Sequence, residues 1–276
     1  MSMRIKPYST VSALCRPERK MPYRPFFYSV VSVLCILLLS GRYKNTDVMK
    51  FMRLAAALAV VMFSPVWVCA QEMIYRPDDF SRVDVSNKIK ARLVPGKENK
   101  VEITGDDVHN VVVKNVKGRL TLRLKTTKSL GSKEYGAVVY YAKTPSYFDA
   151  SQGGEIVCDS LIRGSKVEID AGTGGFVLVT AVADTVRASI AAGGQIQLRG
   201  DGRQLSVGIK TGGQFSGYDF DADNAQVNIT AGGTADVNAS EKIIARVSMG
   251  GTVRYKGTAK LDGKTTMGGS IIQTED

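Results

Sequence analysis

The chain has 276 residues, 37 of them Lys or Arg and 26 Asp or Glu, with a net charge of +11 and 28 glycines. The excess charge sits at the front, because residues 1–70 hold 10 basic and 2 acidic side chains while residues 71–276 hold 27 and 24. A folded part so close to neutral excludes a phosphate-tracking nucleic-acid binder, which concentrates its cations in the folded domain. Of the glycines, 27 come after residue 70, among many β-branched residues and no sustained helical period, which excludes a helical bundle and favours β structure.

In chain order, residues 1–48 carry a basic segment (Arg16, Arg19, Lys20, Arg24) and an apolar run, Phe26–Leu39. They read as an over-long start or an extra leader. A membrane anchor through Phe26–Leu39 is the second choice, since fourteen residues are short for a span. Residues 49–70 form a complete export signal: the basic start Met49-Lys50-Phe51-Met52-Arg53, the apolar run Leu54–Phe63, and Val68-Cys69-Ala70, with cleavage expected after Ala70. Its apolar run of ten residues is about half the length of a membrane helix, so it is expected to be removed. Val68 stands where a lipobox carries a small residue, which argues against lipidation at Cys69. The expected destination is the periplasm, the outer-membrane surface or the extracellular space. Of Cys15, Cys35, Cys69 and Cys158, the last survives cleavage, so no internal disulfide is expected.

Residues 71–145 read as an N-terminal β region that caps the remainder of the chain. Alternating apolar sets (Phe80, Val83, Val85; Ile89, Ala91, Leu93; Val101, Ile103; Leu120, Leu122, Leu124) are separated by turn signals at Pro95-Gly96, Gly105-Asp106 and Lys117-Gly118.

From residue 146 to 276 the sequence repeats. Glycine pairs begin at Gly153, Gly174, Gly193, Gly212, Gly232, Gly250 and Gly268, with spacings of 21, 19, 19, 20, 18 and 18. Counted from the second glycine of each pair, the +2 position is apolar (Ile156, Val177, Ile196, Phe215, Ala235, Val253, Ile271), as is most of +4 (Cys158, Val179, Leu198, Val237, Tyr255). Counted back from the first glycine, positions −7, −5 and −3 are apolar too, as in Leu205, Val207, Ile209 and Ile243, Ala245, Val247. Two short strands per repeat with no helix between them predict an all-β chain. Its fold is expected to be a right-handed parallel β-helix, or solenoid, with rungs of about 19 residues, preceded by the N-terminal β-strand region. Glycine at each corner supplies a positive φ or a close backbone approach. Cys158 falls in an inward column, as a small buried hydrophobe. The outward residues Val157, Phe176 and Leu178 would form an exposed apolar stripe, so the N-terminal strands are expected to cover them.

The order Phe80-Ser81-Arg82-Val83-Asp84-Val85, then Leu120-Thr121-Leu122, then Tyr141 to Pro145 running into glycine-paired strands resembles the auto-transporter adhesin head GIN domain family. The resemblance covers roughly residues 78 to 274 and lies in layout more than in a chemical motif. It implies a solenoid exported from a Gram-negative bacterium and carries over no functional residues.

Catalytic and metal chemistry find little footing. His109 is the one histidine, which excludes a repeated His or Cys ligand set, and no catalytic residue, cofactor or metal is expected. Asp219, Asp221 and Asp223 begin like a calcium loop, but Asn224 stands at the glycine position and Thr230 at the glutamate position. The +5 column (Asp159, Thr180, Arg199, Tyr218, Asn238, Lys256) does not stack carboxylates for a glycosidase pair. What the face after each corner offers is a flat polar ladder: Gln195, Gln197, Arg199, Gln214, Ser216, Tyr218, Asp236, Asn238, Arg254 and Lys256. Repetitive surfaces suit extended ligands such as glycans or peptides. Arg119, Arg123 and Lys125 make a basic strand face that deters edge pairing in preference to meeting an anionic envelope polysaccharide, and the C-terminal rung, ending at Ile271-Ile272, is an open edge that leaves self-association possible. The functional expectation is an exported, non-enzymatic envelope solenoid, an adhesin binding a glycan, an envelope component or a protein through the ladder. The alternatives are a polysaccharide lyase or hydrolase on the same scaffold, or a self-assembling structural protein.

Overall fold

The computed structural model describes residues 72–105, 107–125 and 135–274, all within the compact unit Val68–Asp276. The readings for residues 1–48 and 49–70, the cleavage after Ala70 and the Phe26–Leu39 anchor lie outside the described residues.

Eight short strands come first: β1 (Glu72–Tyr75), β2 (Arg82–Ser86), β3 (Ile89–Pro95), β4 (Lys100–Thr104), β5 (Val111–Val116), β6 (Arg119–Leu124), β7 (Tyr135–Tyr141) and β8 (Tyr147–Ser151). Five long ones come next, β9 (Glu155–Gly172), β10 (Phe176–Ala191), β11 (Gln195–Thr211), β12 (Gln214–Ala231) and β13 (Thr234–Met249), each running from one glycine corner to the next. The chain ends in β14 (Thr252–Lys256), β15 (Lys260–Thr265) and β16 (Ser270–Gln273). Among the described residues there is no α-helix, and no helix is long and apolar enough to cross a membrane.

β9 to β16 stack in parallel as a β-solenoid of about seven turns with rungs of about 19 residues, as the glycine spacing predicts. The +2 residues Ile156, Val177, Ile196, Phe215, Ala235 and Val253 lie side by side and are buried. So do Val167, Val186, Leu205, Ala225 and Ile243 on the other side of the interior. Each fully buried Val, Ile, Leu or Phe contributes about 1.5–3 kcal/mol, and with no disulfide among the described residues these columns hold the rungs together. Rungs longer than 19 residues place their surplus in bulges. The register slips opposite Val179 in the first and between Gly217 and Asp221 in the fourth, where the glycine spacings are 21 and 20.

The two glycines of a corner have different reasons to be there. At Thr173-Gly174-Gly175, Thr173 and Gly174 take φ of 46° and 70°, the left-handed region that suits glycine. Gly175 is needed for space instead, because a Cβ there would sit 2.1 Å from the carbonyl oxygen of Ala150 in the neighbouring rung.

Rung pairing begins ahead of the first glycine pair. β2 lies parallel beside β8 and β3 beside β9, so β2 and β3 form a rung whose corner is Asn87-Lys88, both at φ 60°. The Asn87 side-chain amide donates to Gln152 Oε1 of the next corner at 2.6 Å. On the far side β6 pairs with β2 and β7 with β3, both parallel, and antiparallel β5, β4 and β1 then end the stack. β3 sets Lys90 beside Glu155 and Arg92 beside Val157. The N-terminal strands therefore join the Val157, Phe176 and Leu178 stripe at its edge instead of covering it, and the three side chains are half-buried on the outer face. Backbone pairing along the axis, which satisfies whole rows of N–H and C=O groups, prevails over face-to-face packing of a few apolar side chains. At the opposite end β15 is exposed along its length, and Ile272 is 50% exposed.

Candidate functional site

The strand that leaves each corner presents its odd positions outward, and rung pairing turns them into columns. Gln195, Gln214 and Thr234 form the +1 column, and Gln197, Ser216, Asp236 and Arg254 the +3 column. Asn238 and Lys256 pair in the +5 column, whereas Arg199 and Tyr218 lie within register slips and have no rung partner there. Eight of the ten ladder residues thus stack on one face, which Tyr218 joins through its ring beside Lys256.

Eight of the ten ladder side chains already have partners. Asp236 is buried, 5% exposed, and accepts a fork of two hydrogen bonds from Arg254, Nε at 2.7 Å and Nη2 at 3.0 Å. This pairing pushes the Arg254 pKa further up and keeps the guanidinium charged. Tyr218 lies along the face, its hydroxyl 3.2 Å from Thr274 Oγ1 and its ring centroid 5.2 Å from Lys256 Nζ. Asn238 donates to Asp221 at 2.6 Å, and Arg199 stands 3.7 Å from Asp219. Gln214 reaches Ser216 at 3.4 Å. The surface open to a ligand is therefore its N-terminal end, around Gln195 and Gln197, whose side chains make no hydrogen bond among the described residues, with Arg199 exposed beside them.

Other residues singled out in the sequence are scattered. His109 is exposed on the 3-10 turn Val108–Asn110. Arg119 pairs with Asp84 at 3.2 Å, while Arg123 and Lys125 are exposed. Asp219 and Asp221 have the partners named above, and among the described residues no group of three His, Cys, Asp or Glu side chains is placed to hold a metal ion. Cys158 is fully buried with Sγ 3.5 Å from the Ser160 carbonyl, and burial pushes its thiol up to about 11.

The face before each corner carries a feature that the sequence reading missed. Asp84, Asp149 and Asp170 stand in register on β2, β8 and β9, three carboxylates at successive rungs. Burial, then Asp84 and Asp170, push Asp149 up to about 6, against the pull of Arg119. Asp84 is raised as well, mainly by burial, and its Oδ1 is buried without a hydrogen-bond partner. Tyr147 donates its hydroxyl to Asp170 at 2.5 Å, and burial, then this hydrogen bond, raises the phenol far above its usual range. A signal for this column exists in the sequence. Asp149, Asp170, Ser189, Gly208, Asn228, Arg246 and Lys264 all stand four residues before a glycine pair. Asp84 has no glycine pair to count from.

The family model described as putative auto-transporter adhesin, head GIN domain, matches residues 79–259. Solved structures share the fold. A putative adhesin from Bacteroides fragilis is 16% identical with a TM-score of 0.65, over 75% of this chain and 98% of that one. A putative adhesin from Parabacteroides merdae is 18% identical with a TM-score of 0.56, over 76% and 98%. A putative lipid binding protein from Parabacteroides distasonis is 18% identical with a TM-score of 0.58, also over 76% and 98%. Likeness at such low identity concerns the fold alone. No curated protein matches the chain.

Proposed function

The chain belongs to the auto-transporter adhesin head GIN domain family, and from that premise we propose that it is an exported, non-enzymatic adhesin domain of the Gram-negative cell envelope. It binds a glycan, an envelope component or a protein through the flat polar face built from Gln195, Gln197, Arg199, Gln214, Ser216, Tyr218, Asp236, Asn238, Arg254 and Lys256. The observation that carries the reading is the register, which stacks Gln195 with Gln214, Gln197 with Ser216, Asp236 and Arg254, and Asn238 with Lys256 at a rung spacing of about 4.8 Å. The internally bonded C-terminal half makes that end a rigid platform, and the unbonded Gln195 and Gln197 meet the ligand. The export signal ending at Ala70 delivers the domain to the envelope.

A glycan-array screen of residues 71–276, beside the double variant Gln197→Ala with Tyr218→Ala, tests this. Selective binding that the variant loses supports the ladder. Binding that the variant retains removes the ladder from the reading. Concentration-dependent mass in solution, abolished by Ile272→Lys, would reveal self-association at the open C-terminal edge. A second reading, a carbohydrate-active enzyme, is favoured by one observation: an acid held near pH 6, Asp149, beside two other carboxylates. Turnover of a bound glycan that vanishes in Asp149→Asn would establish it.

A further inference from the structure

The face that precedes each corner carries a depression of about 500 Å³, distinct from the ladder. Its floor forms where side chains shrink along two columns. Four residues before the corner the order is Asp170, Ser189, Gly208, Asn228, and six residues before it Arg187 is succeeded by Ser206. Small residues thus lie between larger ones on both sides.

Gly208 is the informative residue. Glycine in a strand interior weakens the strand and marks a bulge, a tight bend or the close approach of another molecule. At Gly208 the register runs unbroken from Ser189 to Asn228, and its φ lies outside the left-handed region. A Cβ added there would meet no atom within 4 Å. Gly200 and Gly202 on the same strand differ, since a Cβ on either would come within 2.0 or 2.4 Å of a carbonyl oxygen. The fold has no use for a glycine at 208, whereas a ligand lying against the backbone does.

The lining states the chemistry of that ligand. Tyr147, tied to Asp170 through its hydroxyl and with the Arg82 guanidinium 4.9 Å from its ring centroid, is a fixed aromatic wall. Ser189, Ser206 and Asn228 offer donors and acceptors suited to sugar hydroxyls. Of the charged groups on the groove, Glu168 pairs with Lys166 at 2.7 Å and Asp170 accepts from Tyr147, while the exposed side chains of Arg187 and Lys210 make no ion pair or hydrogen bond among the described residues, Arg187 acting on Glu168 only at longer range. An aromatic wall, a hydroxyl-rich floor and two unpaired cations suit a ring-shaped polyhydroxylated ligand that bears an anion. We propose that this groove binds an acidic oligosaccharide. A sugar ring lies over Gly208 against Tyr147, and its carboxylate is held by Arg187 and Lys210.

The test is calorimetry on the purified full chain with oligogalacturonate, hyaluronan and oligosialate fragments, beside neutral galacto-oligosaccharides of the same length. A carboxylated fragment is expected to bind, more weakly at high salt, with no binding of the neutral set. Gly208→Tyr, which fills the groove, and Arg187→Gln should each weaken binding at least about tenfold. Gly172→Tyr, at a second strand glycine with open space above it but outside the groove, should leave binding unchanged. Binding that survives Gly208→Tyr, equal binding of the neutral set, or no binding of any carboxylated fragment at millimolar concentration overturns the proposal. The ladder is judged separately: loss in the Gln197→Ala, Tyr218→Ala variant with retention in Gly208→Tyr sustains the ladder and rejects this groove.

Discussion

Acid should stabilise this protein through its column of buried carboxyls, most strongly through Asp149. Asp149 stands between Asp84 and Asp170 in a column of three carboxylates, half-buried, with its pKa raised from 3.8 to about 6 by burial and by those two neighbours. A carboxyl whose folded pKa lies above its unfolded one binds its proton more tightly in the native state. Its contribution is therefore fully present below about pH 4 and lost as pH rises through 6. A shift of about two units at 1.36 kcal/mol each bounds the effect near 3 kcal/mol, and sharing of protons along the column reduces it to about 1–3 kcal/mol. Asp149→Asn keeps the shape and removes the charge. Urea unfolding monitored by far-ultraviolet circular dichroism from pH 4 to 7.5 should show parent stability falling relative to the variant up to pH 6. Above that the two curves should run parallel, with the variant the more stable by about 1–3 kcal/mol. Taking the difference cancels groups common to both, including Glu168 and Asp262, whose pKa values are lowered by Lys166 and Arg246 and which act at lower pH in the opposite sense. A constant difference across the range, or a variant less stable at pH 7.5, would refute the account of the column.

Glycines of different purpose should respond differently to the same change. Gly175→Ala drives a Cβ to 2.1 Å from a carbonyl oxygen of the neighbouring rung and should cost about 3 kcal/mol or more, whereas Gly208→Ala meets nothing and should be neutral or stabilise by up to about 1 kcal/mol in urea unfolding. Arg254→Ala leaves the Asp236 carboxylate, 8% exposed, without its fork, at a cost of about 2–4 kcal/mol, and Asp236→Asn in the same chain should recover part of it as a rise in melting temperature. The Cys158 thiol, buried and raised to about 11, should resist a disulfide reagent at pH 8 in the native protein and react fully in urea.

The solenoid is legible in the sequence because its rule is local. A glycine pair about every 19 residues marks the corners, and period-two alternation marks which side chains face inward, so the buried columns through Val177, Ile196 and Phe215 emerge by counting. The same counting places the ladder on one face. It says nothing about bonds across rungs, so the satisfied pairs Asp236 with Arg254 and Tyr218 with Thr274, which divide that face, come from geometry alone. The start of the stack is not legible either. β2 and β3 are separated from β8 and β9 by the excursion through β4 to β7, and their corner is Asn87-Lys88, which carries no glycine to count from. Hence Asp84 could not be aligned with Asp149 and Asp170. The acidic column, the half-buried charge it creates and the groove beside it depend on which strands pair across gaps of tens of residues. Local periodicity determines the rung, and the choice of neighbour, made by backbone pairing over long sequence separation, decides what chemistry the stacked rungs bring together.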